Sequence, residues 1–182
     1  MNDPLLLIAR QKAIDYSQLN LTERANIVMT DQSEKASIEP IVNLVAQWLE
    51  ERRLLLAKYG DLANVKPFSA QNTMHRESLR EFCQAMVDYL SRVHFEVFEK
   101  VNQSQNLFSK EKSNNLLGDL TKRVELTTDH FLDFNDKYLA TDDLATLTSD
   151  LSILGEELAK RFELEDKVIA LVRQAISSSD EN

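Results

Sequence analysis

Glycine and proline are scarce in this chain, with only three of each among 182 residues. Average composition would give roughly 22 of the two types together. Strands joined by tight turns depend on these residues, because glycine reaches positive φ and proline presets the first turn position. Their scarcity therefore predicts a mostly helical chain.

Cysteine is nearly absent as well. Cys83 is the only one, which excludes an intrachain disulfide and a zinc site built from several thiolates. No run of about 18 apolar residues occurs, so we expect no membrane-spanning helix. The short apolar run at 5–8 has no basic stretch before it, so we expect no secretory signal. Together these absences predict a cytoplasmic protein.

Basic residues are fewer than acidic residues in this chain. Lys and Arg number 21 against 30 Asp and Glu, giving a formal net charge of −9 at pH 7. Such a chain is repelled by phosphate backbones and by anionic lipid. We therefore expect no direct nucleic-acid partner and no membrane partner, and a basic protein partner is favoured.

Apolar residues recur every three or four positions in four long segments. The predicted helices run from Pro40 to Gly60, from about 74 to 104, from about 109 to 138, and from the capping residues at 141–143 to about Ser177. Long amphipathic helices joined by short connections pack antiparallel around a shared core. The sequence therefore predicts an all-α fold, an up-down antiparallel four-helix bundle.

The predicted domain organisation is simple, because a chain of this length supports one domain with a substantial core. The bundle is expected to occupy residues 40–178. Residues 1–39 show no sustained period and are expected to form an N-terminal extension, partly helical or flexible. Residues 179–182 are expected to be a disordered polar tail.

Motifs of common catalytic and metal sites are missing. A di-metal bundle needs Glu-x-x-His, but none of the three histidines has a glutamate three positions before it. Glycine-rich phosphate loops, Gly-x-Ser-x-Gly and His-Glu-x-x-His are also absent. Cys83 and His94 lie about 16 Å apart along one predicted helix, too far to form a catalytic pair. We expect no catalysis, no cofactor and no metal.

Three ionisable residues fall on apolar stripes. Arg52, His94 and Glu165 stand where the helical period calls for hydrophobic residues, each on a different predicted helix. Taken singly, each is more simply explained as a hydrogen-bonded structural group, or as an arginine whose charged end reaches solvent. Taken together, they predict an inner polar cluster with an Arg52–Glu165 pair. Such a cluster could set helix register or bind a small anion or metabolite.

A second face of the second predicted helix carries Asp88, Phe95 and Glu99, with Arg92 between them. An ordinary solvated face with one stray aromatic is one interpretation. A docking surface for a basic helix is the other, because an aromatic anchor ringed by carboxylates provides both affinity and steering. The residues alone leave both interpretations open.

Several blocks of sequence carry a family resemblance over about 40 to 177. The blocks are Trp48-Leu49 with Arg52, Val65-Lys66-Pro67, Phe82-Cys83-Gln84, Val87-Asp88-Tyr89-Leu90-Ser91, His94-Phe95, Gly155, Arg161-Phe162 and Leu164-Glu165-Asp166. In their order and spacing they resemble the regulator of sigma D family (Rsd/AlgQ), which are bacterial anti-sigma factors.

The resemblance implies a monomeric helical domain that binds the C-terminal, −35-reading region of the primary sigma factor. Binding there would withhold sigma from RNA polymerase and so regulate transcription. It implies a sigma contact at Asp88, and further contacts at Tyr89, Phe95 and Glu99 on the same helix, with Arg92 on the same surface. It also implies that Arg52, His94 and Glu165 occupy the family's inner polar positions. A scaffold for another regulatory protein is the remaining alternative.

The chain departs from the family pattern at three places. Arg92-Val93 replaces a small Ala-Gly pair, adding bulk and positive charge near the predicted surface. Gln47 stands where an arginine often precedes the tryptophan, and the leading segment is longer than usual. These differences concern the footprint on sigma, and they leave the predicted fold unchanged.

Overall fold

The computed structural model of the chain describes residues 32–65, 68, 72–103, 111–141 and 143–179. Most of the predicted N-terminal extension, residues 1–31, and the end of the predicted tail, residues 180–182, lie outside these ranges. The elements within them are all helical, with no strand in this part of the chain. The all-α prediction is confirmed.

Within the described residues, seven helical elements make up four rods. They are α1 (Gln32–Asn64), α2 (Thr73–Arg92), a π-helical turn (Val93–Phe98), α3 (Glu99–Gln103), α4 (Glu111–Glu125), α5 (Thr128–Ala140) and α6 (Leu147–Ser179). The first rod is α1, and the second is α2 with the π turn and α3. The third rod is α4 followed by α5, and the fourth is α6.

Neighbouring rods run antiparallel. Tyr59 in α1 donates to the carbonyl of Leu151 in α6 at 2.8 Å, whereas Arg52, earlier in α1, reaches Glu165, later in α6. The same inverse order relates the other neighbouring rods. The contacts that show it are Lys58–Glu81 and Glu51–Arg92 between the first and second rods, Phe82–Phe134 and His94–Glu125 between the second and third, and Lys137–Asp150 and Thr127–Arg161 between the third and fourth. The predicted up-down four-helix bundle is confirmed.

The core is one continuous cluster of buried apolar residues drawn from all four rods. Aromatic rings meet edge-on within it, with ring centroids 6.2 Å apart for Trp48 and Phe98 and 6.2 Å apart for Phe82 and Phe134. Full burial of a large apolar side chain stabilises the fold by roughly 1.5–3 kcal/mol. The core therefore ties the rods together along their whole length.

The first helix begins earlier than the sequence indicates. Helix α1 starts at Gln32 and contains Pro40, so the predicted start at Pro40 is wrong. Proline removes one helical hydrogen bond, yet its fixed φ of about −65° is itself helical. Pro40 is exposed, while Ile41 and Val45, one and five residues after it, are buried in the core. The helix therefore continues through the proline.

The third predicted helix is broken in two. A turn at Leu126 and Thr127 separates α4 from α5, and the Thr127 hydroxyl donates to the carbonyl of Val124 at 2.6 Å. A threonine that bonds to nearby backbone offers an alternative to the helical ladder. The apolar stripe continues across the turn, because Val124 and Phe131 are both buried. Because the apolar stripe is continuous, the sequence predicted a single helix here.

The second rod contains a π-helical turn that the sequence pattern did not indicate. Hydrogen bonds in a π turn span five residues instead of four, so residues five apart align. Val93 and Phe98 are accordingly both buried, at 1% and 3% exposure. His94, expected on the apolar stripe four residues after Leu90, has a side chain that is 51% exposed. Its predicted inner position is wrong because the prediction assumed α-helical spacing throughout.

Candidate functional site

A buried charge network joins α1 to α6. Arg52, Arg161 and Glu165 are all buried. Arg52 donates from Nη2 to Oε2 of Glu165 at 2.9 Å, and Arg161 donates from Nε to Oε1 of Glu165 at 2.7 Å. The other end of the Arg52 guanidinium pairs with Asp166. Two positive and two negative groups therefore balance one another, with Asp166 at the edge of the bundle, where its side chain is 36% exposed.

Tyr89 connects α2 to this network. Its hydroxyl donates to Glu165 and accepts from Nε1 of Trp48 at 2.9 Å. Burial, together with the adjacent charge of Glu165, raises the pKa of Tyr89 well above its ordinary value. The phenol therefore remains a donor at any ordinary pH. The predicted surface role of Tyr89 is wrong, because the side chain is only 3% exposed.

Arg161 links the network to the third rod. Its Nη1 donates to the carbonyl of Val124 at 3.2 Å and to the hydroxyls of Thr127 at 3.0 Å and Thr128 at 3.1 Å. The break between α4 and α5 exposes these acceptors, so one guanidinium satisfies the turn and Glu165 together. The sequence predictions included Arg161 only within a block of the family resemblance and gave it no role in the inner polar cluster. Its spacing of four residues before Glu165 on one helix was the signal available.

Aromatic rings complete the surroundings of both arginines. The Arg52 guanidinium lies 4.8 Å from the ring centroid of Phe162, and the Arg161 guanidinium lies 5.8 Å from that of Phe131. A cation over an aromatic face gains further stabilisation when it is desolvated. The predicted pairing of Arg52 with Glu165 is present, and both guanidiniums are directed at groups of the protein itself.

His94 lies apart from the network. Its Nδ1 is 3.6 Å from Oε1 of Glu125 on α4, and its ring meets that of Phe95 edge-on at a centroid distance of 4.8 Å. The predicted inner polar cluster therefore keeps Arg52 and Glu165, loses His94, and gains Tyr89 and Arg161.

The outer side of the second rod presents four exposed residues, here called the α2 face: Asp88, Arg92, Phe95 and Glu99. Phe95 is 65% exposed. Asp88 accepts a hydrogen bond from Gln84 at 2.8 Å. The structure thus leaves all four predicted surface residues of this stripe accessible, with an aromatic ring among them.

The α2 face continues onto α1 through an ion pair between Arg92 and Glu51. Burial raises the pKa of Glu51, and the opposing charge of Arg92 only partly offsets this. A shallow groove of about 510 Å³ lies beyond this pair, lined by Asn43, Ala46, Gln47, Glu50, Glu51 and Leu54. Leu54 is 48% exposed. The combined surface is therefore acidic, with Phe95 and Leu54 as its apolar points.

Within the described ranges, no group of three or more His, Cys, Asp or Glu side chains is arranged to hold a metal ion. None of the helices there combines the length and apolar character needed to cross a bilayer. Burial raises the pKa of Cys83 to about 12, so this thiol is protonated at neutral pH.

Residues 28–173 match a sequence model of the family described as "Regulator of RNA polymerase sigma(70) subunit, Rsd/AlgQ". The chain belongs to the Rsd/AlgQ family. The match includes every residue of the charge network and of the α2 face. It begins before Pro40, the predicted start of the bundle domain.

Three relatives named "Regulator of sigma D" illustrate the similarity within the Rsd/AlgQ family. The chain is 37% identical over 134 residues to the protein of Pectobacterium carotovorum subsp. carotovorum (strain PC1), covering 71% of this chain and 87% of the relative. It is 36% identical over 140 residues to the protein of Shigella dysenteriae serotype 1 (strain Sd197), covering 72% and 85%. It is 35% identical over 140 residues to the protein of Escherichia coli (strain K12 / DH10B), again covering 72% and 85%.

Proposed function

We propose that this Rsd/AlgQ chain binds the C-terminal, −35-reading region of a primary sigma factor and withholds it from RNA polymerase. The family description and the relatives' names support regulation of sigma. The structural observation that carries the proposal is the exposure of Phe95, 65%, on a face that also bears Asp88 and Glu99. The protein would act by occlusion, without catalysis, as a monomer in a one-to-one complex.

Charge complementarity supports this partner. A helix-turn-helix that reads DNA presents Arg and Lys side chains to phosphates. The α2 face and the neighbouring α1 groove offer carboxylates in their place, on a chain whose net charge is −9. Opposite charges steer the two proteins together, while a central aromatic ring supplies most of the affinity.

The charge network contributes rigidity to this surface. Tyr89 is the next residue after Asp88, and its hydroxyl is fixed by Glu165 and Trp48. The backbone that presents Asp88 is therefore anchored from inside the bundle. A surface that is already ordered loses less entropy on binding, so more of the contact energy appears as affinity.

The decisive experiment measures binding of the purified C-terminal sigma domain by titration calorimetry. Asp88→Arg and Phe95→Ala are each expected to weaken the complex by about 30-fold or more, as for residues that dominate an interface. Raising the salt concentration is expected to weaken wild-type binding, because screened charges steer and hold less well.

Asp133→Arg is the matched control, because it makes the same charge change at an exposed position on α5. It is expected to bind sigma like the wild type, and all variants should show unchanged circular dichroism. Absence of a wild-type complex at micromolar concentrations, or equal losses in Asp88→Arg and Asp133→Arg, would contradict the proposal.

The sequence left two alternatives to sigma binding, a ligand site inside the bundle and a scaffold for another regulatory protein. A ligand inside the bundle has no support from the geometry, since Arg52 and Glu165 pair with each other and His94 lies outside. A scaffold for another regulatory protein would use the same α2 face. The sigma titration separates that alternative from the proposed function directly.

A further inference from the structure

A basic residue, Arg92, lies within the otherwise acidic α2 face. Its side chain is 45% exposed. Within the described residues, its ion pairs are with Glu51 of α1 and, at 3.9 Å, with Glu96 of the π turn. Asp88, four residues earlier on the same helix, accepts from Gln84 instead. The guanidinium therefore lies between two carboxylates that come from different helical elements.

The position between these carboxylates favours a positive charge. The Glu51 side chain is only 24% exposed, and this burial raises its pKa. Arg92 partly offsets the rise, and the negative charge of Glu96 adds to it. A carboxylate that has lost part of its hydration gains more from a nearby cation than a fully hydrated one. In the free protein, Arg92 supplies that cation.

The neighbouring basic residues are directed at other acids. Arg53, two residues after Glu51, donates to both oxygens of Glu50 at 2.9 and 2.7 Å. His94, two residues after Arg92, has Nδ1 3.6 Å from Glu125 on α4. In the described part of the chain, Arg92 is therefore the residue that balances the carboxylate of α1 and that of the π turn.

We propose that Arg92 holds the place of a basic side chain of sigma, and that this side chain displaces it from Glu51 and Glu96 in the complex. The inference rests on the proposed function. It adds Glu51 and Glu96 to the sigma contacts and makes Arg92 an internal competitor of sigma. An ion pair between partly exposed side chains is weak, so it can be exchanged readily.

The competing charge also provides selectivity. A basic partner that does not bring a cation to Glu51 leaves Arg92 in place and meets its like charge across the interface. Specificity commonly depends on such a repulsive element as well as on attraction. Arg92 is therefore expected to lower the affinity for sigma and to lower it further for other basic proteins.

Calorimetric titration with the purified C-terminal sigma domain tests the proposal, at about pH 8, where Glu51 is ionised although its pKa is raised. Arg92→Gln removes the competing charge and is expected to strengthen binding by about 3- to 10-fold. Arg92→Lys keeps the charge and is expected to bind like the wild type.

Lys160→Gln is the matched control. Lys160 pairs with Glu157 on α6, across the core from α2, and its side chain is 62% exposed. The substitution makes the same change in net charge, so it measures the contribution of long-range steering alone. It is expected to change sigma binding by less than about 2-fold, and the circular dichroism of all variants should match the wild type.

A double-mutant cycle tests the displacement itself. Glu51→Gln is expected to weaken binding by about 10-fold in the Arg92→Gln background but only by about 3-fold in the wild type. The difference arises because wild-type binding must first break the pair between Arg92 and Glu51. Equal effects of Glu51→Gln in the two backgrounds would overturn the proposal.

The outcomes separate this inference from the proposed function. A wild-type complex that Arg92→Gln weakens or leaves unchanged would overturn the inference alone, as would equal gains from Arg92→Gln and Lys160→Gln. A complex formed by Arg92→Gln and not by the wild type would support it. Absence of a complex with both proteins would contradict the proposed function, and the inference with it.

Discussion

Glu165 is the residue on which three helices converge. Its carboxylate is fully buried and accepts from Arg52 of α1, Tyr89 of α2 and Arg161 of its own helix. Buried ion pairs often add little net stability, because desolvation offsets the attraction. Breaking one is costly, because a charge is then left buried without its partner. Glu165 is therefore best understood as a residue that fixes the register of α6 against α1 and α2.

Replacing Glu165 with leucine is expected to destabilise the protein by about 3–5 kcal/mol, because two buried guanidiniums lose their shared carboxylate. Urea denaturation followed by circular dichroism measures this change. Glu163→Leu, two positions earlier and exposed, is the control and should change stability by less than about 0.5 kcal/mol. A loss below about 1 kcal/mol in Glu165→Leu would show that the network is not held as described.

At the scale of secondary structure, the π turn decides which side chains of the second rod face the core. Phe98 is 3% exposed and packs edge-on against Trp48, whereas Phe95, three residues earlier, is 65% exposed. The wider winding of the turn aligns Phe98 with Val93. It thereby buries one phenylalanine and leaves the other on the α2 face.

Phe98→Ala is expected to cost about 3–5 kcal/mol in the free energy of unfolding, because it opens a cavity beside Trp48. Phe95→Ala removes an exposed ring of the same size and should change stability by less than about 0.5 kcal/mol. Chemical denaturation of the two variants side by side gives both numbers. Similar losses from the two would mean that the turn does not orient the rings in this way.

At the scale of the whole molecule, helices α1 and α6 come into close contact at Gly155. A Cβ atom built there would collide with the Tyr59 hydroxyl, which donates to the carbonyl of Leu151 at 2.8 Å. The absence of a side chain at Gly155 thus allows α1 to approach α6. By contrast, a Cβ atom at Gly118 would meet nothing within 4 Å.

Gly155→Ala is expected to destabilise the protein by about 1–3 kcal/mol, because Tyr59 must move and its hydrogen bond to Leu151 is strained or lost. Gly118→Ala should stabilise it by up to about 1 kcal/mol, since alanine favours the helix and the site is open. Thermal and urea unfolding of both variants measure the two effects. Stabilisation by Gly155→Ala would contradict the close packing of α1 on α6.

Local patterns predicted the rods because amphipathic periodicity reports directly on which face of a helix is buried. The same patterns identified Arg52 and Glu165, since a charge on an apolar stripe is visible in the sequence. The surface role of Tyr89 came from the family resemblance, whereas the side chain is buried against Trp48 of α1 and against Phe162 and Glu165 of α6. Local patterns missed the break at Thr127 because the apolar stripe continues across it.

The sequence by itself determined the helical class, the four-rod bundle, the acidic character and the family, because composition and spacing are local properties. Tertiary structure decided which polar groups meet. The shared partners of Glu165 and the outward position of His94 depend on rod register and on the π turn. Register is set by contacts between residues far apart in the chain, and no local pattern records those contacts.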